Sequence, residues 1–477
     1  MNNTFWDNII NGLHLPLGLD KYSLKRRSQN DFAAYNQNRP KNDRSHFCHA
    51  PSKSLYFGHD GLVSPCCFNR RHLLGNVAHQ YIKNIWNGIP IKTLRKALKK
   101  NDLALGCYSC EYMLKSKNYG SVGALMYDGL PSKNKMPHQL EFEADNTCNL
   151  ECIMCTGEYS SAIRKNREHK APFDIVYDET FIKQLQPFLC HLKDAKFYGG
   201  EPFLSLLYHK IWTDIIRVNP SCHISVQTNA TVLNDTVKDF LKRGNFHISV
   251  SLDALDKDIY EKIRVNARYE KVMENLSFFR DYCLEKDHYF GIAVCPMRLN
   301  WKEIPLLLSF ANKNKARIHF HTVWMPPSLA LWNLSYTELK NIYQYLVSFN
   351  AVAHTEIENV NLNTYRSLII QVEQWCNAAK KRDSEVLYPQ NVIELKIELL
   401  KKIALWCDAN IRNVDEKREL KEKYKDIVEE ITEGFEKEAL ASGLKEILKS
   451  PVEFIIQTLD LDDKDKIMEK FKTFIFK

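Results

Sequence analysis

Cys148-Asn-Leu-Glu-Cys152-Ile-Met-Cys155 sets three thiols within eight residues. Three thiolates on so tight a loop can bind three corners of a 4Fe-4S cubane, which wants four ligands. With three from protein, one iron stays open to an outside ligand, and chemistry can occur there. The alternative is a structural zinc site, which would need a fourth protein ligand. A second signal is Gly199-Gly200-Glu201-Pro202. Its two glycines allow close backbone approach to a ligand, and its carbonyls can accept hydrogen bonds from an ammonium group. A plain turn is the alternative. Placement at a strand end favours the ligand reading, because ligands gather at the carboxyl ends of strands in α/β sheets and barrels.

A second cysteine group precedes the first. Twelve residues separate Cys48 from Gly61 and four separate Gly61 from Cys66. Then come Cys67, LLGNV at Leu73–Val77, IWNG at Ile85–Gly88 and Cys107-Tyr-Ser-Cys110. Cys48, Cys66, Cys107 and Cys110 could fully ligate a second 4Fe-4S cluster; a zinc knuckle is the alternative. Cys67 is left as a spare thiol, an alternative ligand or a buried side chain. Of the fourteen cysteines, the remaining six are Cys190, Cys222, Cys283, Cys295, Cys376 and Cys407. They are scattered singly and read as small buried hydrophobes. Clustered cysteines in a cytoplasmic chain suggest metal rather than disulfides.

The elements that must position these residues are legible as alternating short strands and longer helices. The strands are Gln139–Ala144, Ala195–Tyr198, His223–Asn229, His247–Asp253, Gly291–Met297 and Arg317–Val323. Helical patterns such as Glu179–His191, Asp235–Lys242 and Tyr269–Glu285 lie between them. The fold class is α/β, with parallel strands covered by helices. Six units give an open, partial (β/α)6 barrel rather than a closed eight-stranded one. Along the strands, Leu140, Phe142, Ile224, Val226, Ile248, Val250, Ile292, Val294, Ile318 and Phe320 share one face. Glu141, Glu143, Ser225, Gln227, Asn229, Ser249, Ser251, Asp253, Cys295, His319 and His321 share the other. A polar inner face is expected of a cavity that holds a polar ligand.

Four regions follow. Residues 1–45 read as a polar, irregular N-terminal arm. Residues 46–115 form a small cysteine-bearing unit with a hairpin turn at His59–Gly61 and a helix at Ile89–Lys100. A Gly/Ser/Lys-rich connection, Lys115–Lys135, leads to the barrel at 137–328. Residues 329–477 are a helical C-terminal region, poor in glycine and proline, whose Arg412–Lys449 stretch reads as a solvated amphipathic helix pair.

Composition narrows the class. The 477 residues are 44% hydrophobic and 26% charged, which is globular usage and enough for two to four folding units. No apolar run approaches the roughly 18 residues of a membrane span, and MNNTFWDNII lacks the features of a secretory signal. We therefore expect a cytoplasmic protein with no membrane partner. A net charge of +8, without a concentrated basic patch, gives no nucleic-acid footprint.

CNLECIMC followed by GGEP resembles the radical S-adenosylmethionine (SAM) superfamily, whose signature is CxxxCxxC. The resemblance covers about 137–328. It implies that SAM chelates the open iron through its amino and carboxylate groups and is cleaved to methionine and a 5′-deoxyadenosyl radical that abstracts hydrogen from substrate. It further implies that Gly199, Gly200, Glu201 and Pro202 bind the SAM amino group. Ser251 and Asp253 would lie near the ribose and carboxylate, and Arg264 would pair with the carboxylate. Thr228 and Asn229 stand in a TNA that resembles the family's TNG. Residues 46–115 resemble the twitch/SPASM auxiliary-cluster unit. That unit commonly follows the barrel; here it precedes it.

Full thiolate ligation of the auxiliary cluster favours electron transfer over substrate coordination. Inward candidates for proton or hydrogen handling are Cys295, His319, His321, Glu141 and Glu143. The implied function is a radical SAM oxidoreductase or maturase acting on a peptide or protein side chain. The implied electron source is an external one-electron donor such as flavodoxin or ferredoxin. One alternative is an oxidoreductase or epimerase of a small molecule such as an aminosugar. Another is a non-catalytic iron–sulfur electron-transfer or metal-binding protein.

Overall fold

Nine strands form one sheet in the order β3-β2-β1-β4-β5-β6-β7-β8-β9. They are β1 Ser54–Gly58, β2 Leu62–Ser64, β3 Gly75–Asn76, β4 Gln139–Glu143, β5 Asp194–Phe197, β6 His223–Thr228, β7 Phe246–Ser251, β8 Phe290–Val294 and β9 Arg317–Phe320. The computed structural model of the chain describes residues 29–475 except 38, 131–135, 386–390, 412, 451 and 461–463.

Strands β4 to β9 pair in parallel in chain order, as the alternating pattern implies, and the sheet does not close on itself. Their apolar face packs outward on the helices. Phe57, Phe142 and Phe197 stack across β1, β4 and β5 with ring centroids 5.3 and 4.9 Å apart. Trp212, on helix Leu206–Val218, meets Phe197 edge-on at 5.5 Å. Side-chain caps start the covering helices: Asp178, Ser205, Asn234 and Asp256 each accept from a first-turn amide.

The N-terminal hairpin is where structure and sequence reading part. β1 pairs antiparallel with β2 but parallel with β4, in the register Tyr56↔Glu141. The cysteine-bearing unit therefore extends the barrel sheet by three strands. Nothing in Ser54-Leu-Tyr-Phe-Gly58 marks it as a seventh parallel strand, because the pairing is set by a chain segment more than eighty residues away.

Residues 29–45 also differ from the irregular arm expected of 1–45. Gln29–Gln37 is a helix, and its Tyr35 is buried against Phe47 at 5.1 Å between rings. Residues 1–28 of that arm, and 131–135 of the connection, lie outside the described residues.

Helix Glu356–Glu385 covers the β9 edge. Its Asn361, fully buried, accepts from the Ile318 amide at 2.9 Å and donates to the Ala316 carbonyl at 2.9 Å, standing in for a missing strand. The same helix reaches the N-terminal unit, where Gln374 donates to the Ser116 carbonyl at 2.8 Å and its own Ser367 carbonyl accepts from Asn118 at 3.2 Å. Beyond it, helices Val392–Asn410, Val414–Ile431, Lys437–Lys449, Val452–Leu459 and Lys464–Ile475 enclose a separate apolar core.

Candidate functional site

The cysteine loop begins just past the end of β4 and is pinned on both sides. Cys148 N donates to Ser161 Oγ at 3.0 Å, and Ser160 Oγ donates to the Leu150 carbonyl at 2.7 Å. Glu151 N and Ile153 N donate to the Val265 and Ile263 carbonyls, both at 3.0 Å. Donors surround the sulfurs. The Leu150 amide lies 3.5 Å from Cys148 Sγ; Asn229 Nδ2 lies 3.9 Å from it, and Arg264 Nη1 lies 3.9 Å from Cys152 Sγ. Burial raises all three thiols, Cys148 to about 11 and Cys155 to about 12. They become thiolates only on binding a metal.

Gly199 and Gly200 have φ of +74° and +55°. A Cβ on Gly200 would strike the Thr147 carbonyl oxygen, and one on Gly199 would lie 2.9 Å from Asp145 O. On the side a Cβ would occupy, the close approach these glycines permit is thus made to the cysteine loop itself. Gly200 N donates to Tyr159 O at 3.1 Å and Glu201 N to Thr147 O at 2.7 Å. Fully buried Glu201 accepts from Thr228 Oγ1 at 2.7 Å, Asn229 N at 2.6 Å and Phe203 N at 3.2 Å, tying this loop to the end of β6. Burial lifts its carboxyl to about 7. Pro202 starts the short helix that follows.

Asp253 organises the next side of the site. Its Oδ2 is 2.7 Å from Arg264 Nε, its Oδ1 accepts from Cys295 N at 2.7 Å, and its carbonyl accepts from Asn300 at 2.8 Å. Arg264, buried, is held by Asp253 and lies beside Cys152. Ser251 is buried at the end of β7. Among the described residues, two buried hydroxyls here have no partner: Thr156 Oγ1, next to Cys155, and Tyr260 Oη, which stands near Arg264, Asp253 and Cys152. Orphaned hydroxyls around three thiols fit a site that receives a further polar group.

The four N-terminal thiols meet as well. Cys48, Cys66, Cys107 and Cys110 line one cavity with Phe47, Phe68, Asn69, Ala124 and Tyr127. Asn69 Nδ2 is 3.5 Å from Cys107 Sγ and the Ala50 amide 3.4 Å from Cys48 Sγ. Cys67 does not line that cavity. Its thiol stands with Glu141, Arg70, Lys196 and Glu143 on the barrel side, and burial holds it protonated.

Among the described residues, Asp43, His49 and Asp128 also bring ligand-type atoms within 4.8 Å of one another, but both carboxylates already hold Lys53 and Arg39.

The inner face divides. Glu141 is fully buried and engaged by Tyr127 Oη at 2.6 Å, Gln139 at 3.0 Å and Ser54 at 3.2 Å. Glu143 is paired with Arg70 at 2.7 Å and hydrogen-bonded by Tyr56. His319 bonds Tyr289 Oη at 2.6 Å, and enclosure by the groups around it, then the nearby His321, lowers its pKa. His321 is lowered too, chiefly by its surroundings. Cys295 sits beside Asp253 and Arg264, and burial raises its thiol. Arg70, Tyr159, Tyr260 and Asn300 escaped the sequence reading, since no motif of type or spacing surrounds them.

The pattern of the Radical SAM superfamily matches residues 145–311 and that of SPASM, an iron–sulfur cluster-binding domain, matches 48–111. A cysteine-type anaerobic sulfatase-maturating enzyme of Clostridium novyi (strain NT) is 29% identical over 153 residues, 30% of this chain and 40% of that protein. A GTP 3′,8-cyclase of Clostridium botulinum (strain Hall) is 26% identical over 137 residues, 29% of this chain and 41% of that protein. The chain thus spans about two fifths of the length of these curated relatives.

Among solved structures, native anSMEcpe with bound AdoMet is 20% identical, with a TM-score of 0.33 over 44% of this chain and 59% of that one. Streptococcus suis SuiB bound to precursor peptide SuiA is 13% identical, with a TM-score of 0.34 over 57% of this chain and 62% of that one.

The match over 145–311 marks the barrel segment as a Radical SAM domain. The segment matched by the SPASM pattern, 48–111, precedes it, and its strands are continuous with the barrel sheet.

Proposed function

We propose that the chain is a radical SAM enzyme that modifies a peptide or protein side chain, with one cluster at the barrel mouth and an auxiliary 4Fe-4S cluster in the N-terminal cavity. The carrying observation is three thiols on one loop, Cys152 buried and Cys148 and Cys155 half-buried, with orphaned hydroxyls beside them and the Gly199–Gly200 turn packed on their loop. Cys148, Cys152 and Cys155 would hold the first cluster, and Cys48, Cys66, Cys107 and Cys110 the second. When bound, the first cluster supplies one electron to cleave SAM into methionine and a 5′-deoxyadenosyl radical.

The chain's own residues position and exclude. Glu201 locks the glycine turn to Thr228 and Asn229, and Asn229 also reaches Cys148. Asp253 fixes Arg264 at Cys152 and the backbone of Cys295. Gly199–Pro202 and Arg264 would engage the amino acid end of SAM, and Ser251 and Asp253 its ribose side. His319, His321 and Cys295 would be the side chains for proton or hydrogen-atom handling, Cys295 lying against Asp253 at the site and His319 bonded to Tyr289. The external reductant is a flavodoxin- or ferredoxin-type protein, and the compartment is the cytoplasm. Among the described residues no helix is long and apolar enough to cross a membrane.

The peptide reading is supported by the sulfatase-maturating relative. A small-molecule reading is supported by the GTP 3′,8-cyclase relatives and by helix Glu356–Glu385 lying along the open edge of the sheet. Anaerobic reconstitution with dithionite and SAM, followed by chromatography for 5′-deoxyadenosine, tests the chemistry. Full iron loading without that product would sink it. Adding peptides encoded beside the gene, or nucleotides, and reading a mass shift separates the substrate classes.

A further inference from the structure

The Cys66–Arg71 loop sends successive side chains to different places. Cys66 enters the auxiliary cavity, and Asn69 reaches Cys107 Sγ. Arg70 turns the other way, toward the barrel. Its Nη2 lies 2.7 Å from Glu143 Oε2, its Nη1 donates to Tyr159 Oη at 2.8 Å and its Nε donates to the Cys67 carbonyl at 3.3 Å. The guanidinium carbon sits 4.9 Å over the Tyr56 ring.

Both distal partners hold the glycine turn. The Tyr159 carbonyl accepts the Gly200 amide at 3.1 Å. Glu143 walls Gly199, where a Cβ would lie 2.9 Å from Glu143 Cγ. One rigid fork of donors therefore connects the loop that carries an auxiliary ligand to the two groups between which Gly199 and Gly200 are set. A lysine could not serve both partners, because its charge is a single point. The Arg70 side chain is 46% exposed, and ion pairs that open contribute little to stability. Its geometry matters for placement more than for folding.

We infer that Arg70 is a positioning residue for SAM, registering the auxiliary-cluster unit against the Gly199–Gly200 turn. The inference rests on the reading of that turn as the SAM-binding loop. Replacing Arg70 removes the shared anchor of Tyr159 and Glu143 while leaving every thiol in place. SAM affinity should fall while both metal sites still load.

The test is anaerobic equilibrium binding of radiolabelled SAM to the reconstituted full chain, as wild type, Arg70→Gln, Arg70→Lys and Tyr159→Phe. Iron content, melting temperature and the SAM-induced change in the EPR spectrum are read alongside. For Arg70→Gln the Kd should rise about tenfold, the usual worth of one charge-assisted hydrogen bond. Arg70→Lys and Tyr159→Phe should rise less, with iron unchanged and the EPR response weakened in the same order. Wild-type Kd in Arg70→Gln at full iron overturns the inference, as does weakened binding that merely tracks iron loss. Should Arg70→Gln fail to fold, Tyr159→Phe decides, and a wild-type Kd there overturns it equally. A wild-type protein that binds no SAM would instead refute the functional reading beneath it.

Discussion

Asp253 is fully buried and has three partners on three segments: Arg264, the Cys295 amide and, through its carbonyl, Asn300. Arg264→Leu would strand that carboxylate without its countercharge. We expect about 3–5 kcal/mol of lost stability in urea titrations, and partial recovery in Arg264→Lys. Gly200→Ala should act locally. Its positive φ and the Thr147 carbonyl leave no room for a methyl group, so iron at the barrel site should fall while the N-terminal site still loads. Equal iron in wild type and variant would count against the packing described. These two positions also show what a sequence can carry. The cysteine triplet was legible because its ligands are neighbours in the chain, where spacing is geometry. The purpose of Gly199 and Gly200 was half legible: strand-end glycines signal close approach, but not that the surface approached is the cysteine loop. Arg70 was illegible, since Glu143 and Tyr159 lie 73 and 89 residues away.

At the scale of elements, the alternating pattern disclosed the six parallel strands and their inner and outer faces, because burial on one side imposes period two. It did not disclose β1, whose residues Ser54–Phe57 are buried on both faces. Nor did it disclose how β9 is finished. Asn361→Leu would remove the side chain that satisfies the Ile318 amide and Ala316 carbonyl; we expect about 1–3 kcal/mol of destabilisation, measurable by denaturation. The N-terminal starts of β6 and β7 and the residues just before β8 carry a histidine stack. His223 and His247 rings are 4.2 Å apart, and those of His247 and His288 are 5.1 Å apart. Burial, then the two neighbouring rings, lowers His247 to about 3. Unfolded histidine titrates near pH 6.5, so the unfolded chain takes up this proton first as pH falls. The stabilisation is complete above about pH 6.5 and drains away as pH drops toward the folded value. Melting temperatures of His247→Asn should therefore decline less steeply than those of wild type between about pH 6.5 and pH 4. Parallel curves would contradict this.

For the whole molecule, the cysteine-bearing unit is the hub. Arg70 binds the barrel. Its neighbour Arg71 binds the C-terminal helices, 3.2 Å from Asp460 and within 5.7 Å of the Trp406 ring, while Tyr108, between two auxiliary cysteines, packs on Trp406 at 5.0 Å. The helical texture of the C-terminal region was legible in its scarcity of glycine and proline; its attachment was not, because the contacting residues are some 300 or more positions apart. Arg71→Ala should speed hydrogen exchange in Val414–Ile431 and Val452–Leu459 with little change in β4–β9. Uniform protection would argue against that attachment.

The most direct measurement is EPR of the reduced, reconstituted chain in which Cys48, Cys66, Cys107 and Cys110 are all alanine, leaving only the barrel triplet. We expect about four irons per chain and a cluster signal that shifts when SAM is added, as an iron open to an outside ligand requires. A signal indifferent to SAM, or a protein that takes up zinc in place of iron, would contradict the central claim.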